Sequence, residues 1–155
     1  MNISGIKHHT VGWLSLAVLL LLVGCSENPQ PINYGSDQCA HCKMVITEQA
    51  FAAELITDKG KAYKYDAIEC LAAYLQEHPE HQNPSATRWV HDFANPEQWI
   101  KAESALFVQS KEIQSPMGLS LLAFNQEEAL NEHLEEYPGK QITWSDINSQ
   151  VKDKW

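Results

Sequence analysis

The chain has 155 residues and carries 20 acidic against 11 basic side chains, a net charge of −9 with histidine neutral. That balance argues against nucleic acid and anionic lipid headgroups as partners, and it fits attraction to cations or to a basic patch on another protein. The length allows one ordinary core, or two small halves packed together.

The first residues do not read as part of the fold. Lys7, His8 and His9 make a weakly basic start, and an apolar, Leu-rich run follows from Val11 to Val23. That run is too short to span a bilayer comfortably as a helix, and it reads as a signal-peptide core. It ends Val23-Gly24-Cys25, where a cysteine directly follows a small residue. This ending resembles the bacterial lipobox, whose cysteine is acylated after cleavage. Residues 1–24 are therefore read as a lipoprotein signal peptide and Cys25 as the lipidation site. Residues 25–34 are read as a polar, lipid-anchored linker and 35–155 as the folded domain. Several acyl chains hold a protein durably on a membrane, which places the domain on the periplasmic face. Ser26 stands where Asp would be the common retention signal of the inner membrane, so the outer membrane is the favoured address. With Cys25 acylated, Cys39, Cys42 and Cys70 remain. An odd number of thiols in an oxidising compartment leaves at least one unpaired, so a disulfide framework explains them poorly.

In chain order, residues 42–47 and 51–57 read as strands, Asp58-Lys59-Gly60-Lys61 as a turn, and 62–65 as a short alternating strand. Asp66 is expected to cap a helix, with Glu69 completing a capping box and Ile68, Leu71, Ala72 and Leu75 forming one apolar face. After a polar connector at 79–84, residues 89–93 read as a strand. Asn95-Pro96-Glu97 reads as the start of a short helix through Ile100. Strands are expected at 105–109 and 118–124. A helix capped by Asn125 should then run to about Tyr137, followed by a short strand at 141–144 and a helical tail.

The stretches "YDAIECLAAYL" (65–75) and "FNQEEALNEHL" (124–134) match in register: an aromatic, an Asx cap, a Glu at the third helical position and leucines in step. Two related halves of β-β-α-β character follow, at about 35–80 and 85–150. The fold class is α+β, with helices over short antiparallel sheets.

Chemistry concentrates in "CAHCKM" (39–44), which places two thiols, an imidazole and a thioether within six residues. A zinc site needs four closed donors. No second C-x-x-C exists; His41 and His91 are the only candidates to complete a shell, and Cys70 reads as a small apolar helix residue. A thioredoxin-like dithiol should sit where a strand feeds a helix N-terminus, whereas this motif continues as strand. No G-x-S-x-G, P-loop or H-E-x-x-H is present, so no enzymatic activity is expected. Met44 and Met117, the latter in "SPMG", lie outside any helical apolar stripe, as suits side chains presented to a ligand. Thiolate plus thioether is the donor set that selects Cu(I).

These residues resemble the NosL family of accessory lipoproteins of nitrous oxide reductase maturation. The likeness runs through "CAHCKMVI", "KAYKYDAIECL", "WVHDFANPEQWIKAESALFV" and "SPMGLSLLAF". It implies a periplasmic copper chaperone of two β-β-α-β-type halves that hands Cu(I) to apo nitrous oxide reductase beside a membrane ABC-type complex. It also implies Cys42 and Met117 as principal Cu(I) ligands, with Met44 and His41 competing to complete the shell and Cys39 as auxiliary thiolate or redox partner. A monomer is expected. Two other readings stay open: a thiol–disulfide oxidoreductase using Cys39 and Cys42, and a zinc-stabilised interaction module.

Overall fold

In this computed structural model, residues 27–154 are described; the expected signal peptide and Cys25 lie outside them. The first sheet comprises β1 (Ala53–Ile56), β2 (Ala62–Tyr65), β3 (Thr87–His91) and β4 (Trp99–Lys101) in the order β2-β1-β3-β4, with β2 and β3 separated by helix α1 (Ile68–Glu77). The second comprises β5 (Leu106–Gln109), β6 (Leu121–Phe124) and β7 (Lys140–Ile142) in the order β6-β5-β7, with helix α2 (Glu127–Glu136) before β7. All pairings are antiparallel. A last helix, α3 (Trp144–Lys154), packs on α1, where the Gln76 amide donates to the Asn148 carbonyl at 2.7 Å. The expected α+β class and the two β-β-α-β units are what the chain forms, but the break expected between 80 and 85 falls after β4 instead, because residues 87–101 pair into the first sheet.

The halves match in detail. Ala53 pairs with Tyr65 in the first hairpin and Leu106 with Phe124 in the second, and each second strand leads directly into a helix. Ahead of each hairpin, one backbone amide reaches across to the penultimate residue of the second strand: Ala40 N–H to Lys64 O and Phe93 N–H to Ala123 O, both at 2.8 Å. The cores differ. Helix α1 is buried along Ile68–Leu75, between its own sheet and α3, whereas α2 buries only Leu130.

Four further expectations need correction. Residues 42–47 form no strand; a single bridge, Gln38 to Val45, closes a tight turn that Lys43 makes possible with φ +66. The helix expected at 96–100 is the strand β4, because β3 has an open edge there and Ile100 is buried on pairing with Val90. Pairing an edge strand outweighs a local capping signal. Neither helix start uses its expected cap. The N-cap positions are Ala67 and Gln126, without side-chain hydrogen bonds, and Asp66 and Glu69 are spent on other contacts. The spacer expected at 25–34 is docked from Glu27 onward. The Glu27 carbonyl accepts from Trp89 Nε1 (3.1 Å), the Gln30 amide donates to the buried Glu54 carboxylate (3.0 Å), and Ile32 is buried in the main core.

Candidate metal centre

Two local structures build the centre. The first is the turn 39–44: the Cys39 amide donates to Met44 O (2.8 Å), the Lys43 amide to Cys39 O (3.1 Å), and Lys43 Nζ to Ala40 O. The left-handed Lys43 folds the chain back within one residue, so Cys39 and Cys42 lie on the same side of the turn. The second is the start of α1. The Ala40–Lys64 hydrogen bond brings the turn against the end of β2, which leads at once into the helix carrying Cys70 in its first turn. The sulfurs of Cys39, Cys42 and Cys70 consequently all lie within 4.8 Å of one another.

Cys39 and Cys70 are buried and Cys42 is half-buried, so the cluster has one open side. The three sulfurs are not electrostatically equivalent. The Cys70 thiol, aimed at Cys39, is the main reason the Cys39 pKa falls to about 5; the backbone N–H groups of Asp66, Cys42 and His41 add to it against the penalty of burial. The same contact pushes Cys70 far up, with burial adding to it, and burial raises Cys42. Deprotonation is therefore easiest at Cys39 and harder at the two thiols whose sulfurs face it. Asp66, buried beside the cluster, is raised to about 6 by burial and by the Cys39 charge. Three sulfurs bound to one thiophilic ion at about 2.3 Å each lie roughly 4 Å apart, which is the spacing this cluster approaches.

The other sequence candidates fall in different places. Met44 follows the turn with 52 % of its surface exposed, and Val45 beside it is also exposed. His41 turns its Nδ1 to Glu77 Oε2 at 3.3 Å, with a side chain 11 % exposed, and it is not one of the clustered donors. Met117 is half-buried against the same core cluster that contains Cys39 and Cys70 and that Cys42 packs on. Its loop is tied to α1: Glu69 Oε1, one residue before Cys70, accepts from Ser115 Oγ (2.5 Å) and from the Leu119 amide (3.1 Å). His91 is a core residue, bonded to Tyr34 Oη at 2.9 Å and packed at a tilt against Trp99, with burial lowering its pKa to about 4.

Cys70 is the residue the sequence reading missed. The signal that could have found it is the count of three unpaired thiols combined with the strand-to-helix connection at 65–68, which leaves Cys70 only five residues beyond a strand end.

The NosL family profile matches residues 31–152. The chain belongs to the NosL family. It is 27 % identical over 162 residues, covering 92 % of this chain and 84 % of the other, to the copper-binding lipoprotein NosL of Stutzerimonas stutzeri. Among solved structures it is similar to the copper chaperone NosL from Shewanella denitrificans, with a TM-score of 0.65 and 26 % identity over 77 % of this chain and 95 % of that one. Within this NosL-family fold, the thiol cluster sits in the half whose helix is the more buried.

Proposed function

We propose that this protein is a Cu(I) metallochaperone that carries copper on the thiols of Cys39, Cys42 and Cys70, without catalytic turnover. The observation that carries the reading is the convergence of three sulfurs, one of them reachable from solvent, with no fourth His, Cys or carboxylate donor among the described residues. Soft, low-coordinate donors select Cu(I), whereas structural zinc takes four. The copper-binding relatives support the same metal.

The transfer chemistry is ligand exchange. Cys42, at the open side, is the first ligand that an incoming donor displaces; Cys39 and Cys70 hold the ion meanwhile. Met117 supplies a thioether from the neighbouring loop, and the exposed Met44 stands beside the turn as a further soft donor for the hand-over. His41, bonded to Glu77 and not among the clustered donors, acts in docking and not in coordination. A three-thiol site open on one side releases its ion faster than a closed cage would.

The destination we assign is apo nitrous oxide reductase, with a membrane ABC-type complex as co-worker, as the family resemblance implies. The domain acts as a monomer at the periplasmic face, held through a lipid on Cys25 and favouring the outer membrane. The thiol–disulfide alternative has one observation in its favour, the low pKa of Cys39. Yet Cys39 is buried, and a dithiol catalyst needs its activated sulfur exposed.

Anaerobic Cu(I) titration against a competing chelator tests the site. One tightly held Cu(I) per chain, lost on replacement of any of the three cysteines, is the expected result. A tightly held zinc whose removal unfolds the domain would replace this reading with the zinc module.

A further inference from the structure

Glu69 has no exposed surface, although nothing about its position in the first turn of α1 requires burial. A buried carboxylate is retained only where donors compensate for its lost hydration. Besides its own backbone amide, its donors come from the loop that carries Met117, and all of that loop's bonds go to Oε1 while Oε2 has no partner. Glu69 Oε1 accepts from Ser115 Oγ and from the Leu119 amide, while Ser115 Oγ accepts from the amides of Gly118 (3.2 Å) and Ser120 (2.9 Å). The whole loop is therefore wound around one hydroxyl, and that hydroxyl is fixed to the helix residue preceding Cys70. Gly118 (φ +78) and Ser120 (φ +57) are both left-handed, and for a serine that conformation has to be held in place by its surroundings. Lys154 Nζ, from α3, holds the Met117 carbonyl at 2.7 Å on the other side.

From this geometry we infer that Glu69 is a positioning residue for copper binding: it locks the 115–120 loop so that the Met117 thioether is held in register with the thiols of α1 and the 39–44 turn. The inference rests on Met117 being a copper donor, as proposed above. Glu69 does not touch the ion. Its effect passes through Ser115 and Leu119 to Met117, so it should vanish when Met117 can no longer donate.

The experiment is a double-mutant cycle read by Cu(I) affinity under anaerobic chelator competition. Its proteins are the wild type, Met117→Leu, Glu69→Leu and the double variant, each checked for three titratable thiols and an unchanged circular dichroism spectrum. The expected result is a loss of roughly tenfold for either single variant, as for supporting residues of metal sites generally, with no further loss in the double. Glu69→Gln, whose amide oxygen still accepts both hydrogen bonds, should retain most of the affinity. Ser115→Ala should reproduce the loss, and it carries the test if Glu69→Leu does not fold. Additive losses would overturn the inference, since Glu69 would then act on the thiols or on the fold. So would wild-type affinity in both Glu69→Leu and Ser115→Ala alongside a weakened Met117→Leu. If Met117→Leu itself binds as tightly as the wild type, the thioether reading falls first and this inference goes with it, while the thiol site stands.

Discussion

The two halves of the molecule share a strand order, a hairpin register and a cross-strand amide, yet only one carries a cluster of thiols. Aligning Ala40 with Phe93 by that amide, and Tyr65 with Phe124 by the hairpins, makes Asp92, Asn95 and Ala129 the counterparts in chain position of Cys39, Cys42 and Cys70. The turns ahead of the two hairpins differ by one residue, since the Cys39 amide bonds to Met44 O and the Asp92 amide to Gln98 O. The first half has thiols at these three positions, two in a turn and one on a buried helix; the second has a carboxylate, an amide and a methyl, the last on a helix that faces solvent. The sheet-and-helix scaffold is common to both, whereas the thiols and the tight turn that gathers two of them belong to the first half alone.

The comparison breaks most directly by exchanging those side chains. Cys39→Ser, Cys42→Ser and Cys70→Ser should each lower Cu(I) affinity by more than about 100-fold, beyond the range for outer-shell residues. Asn95→Ser and Ala129→Ser should leave it unchanged in the same titration; a comparable loss there would show that the second half also holds the metal. Next in size is the contrast in burial. Leu71→Ala on α1 should cost about 2–5 kcal/mol, as for a fully buried leucine, and Leu134→Ala on the exposed α2 should cost clearly less. Urea unfolding of both variants measures the gap.

Proton linkage sharpens the contrast further. The raised Cys42 and Cys70 thiols must lose protons when copper binds, so Cu(I) affinity should rise with pH by about tenfold per unit for each proton displaced. Cys39, at about 5, adds a proton release only below that pH. Competition titrations at several pH values give the slope, and a flat profile would mean that Cys42 and Cys70 are not both ligands. Met44→Leu should change the resting affinity by no more than about twofold, as for exposed side chains generally. The smallest effect concerns the docked N-terminal segment. Burial raises Glu54 from 4.5 to about 7 despite the Gln30 amide. A carboxyl whose folded pKa lies above its unfolded one binds more protons when folded, so stability should fall as pH rises through that window. Glu54→Gln should flatten this dependence in thermal unfolding.

Much of the design was legible in the chain because it is local. The strand at 62–65, both helix bodies and the paired register of the two halves follow from periodicity and turn residues. Cys39 and Cys42 were visible as a pair by spacing alone. Cys70 was not, because a cysteine within an apolar helical stripe gives no local sign of what crosses it; its role comes from the Ala40–Lys64 contact, which pairs residues far apart in sequence. The capping signals misled for a related reason. Asp66 and Glu69 have the right spacing for a capping box, but Asp66 accepts from the Thr47 backbone and Glu69 from the Met117 loop, where tertiary contacts outbid a local cap. Met44 and Val45 look like strand residues in sequence and stand in water in the fold, because Lys43 reverses the chain just before them.

The seating of residues from Glu27 onward on the β1–β3 face also fixes a distance. If acyl chains are carried on Cys25, only two residues separate them from the first hydrogen-bonded carbonyl, a reach of about 7 Å. Such a leash is far shorter than the domain is wide. The domain would ride flush on the lipid surface with one side permanently turned outward, diffusing in two dimensions only, and any acceptor would have to come to it.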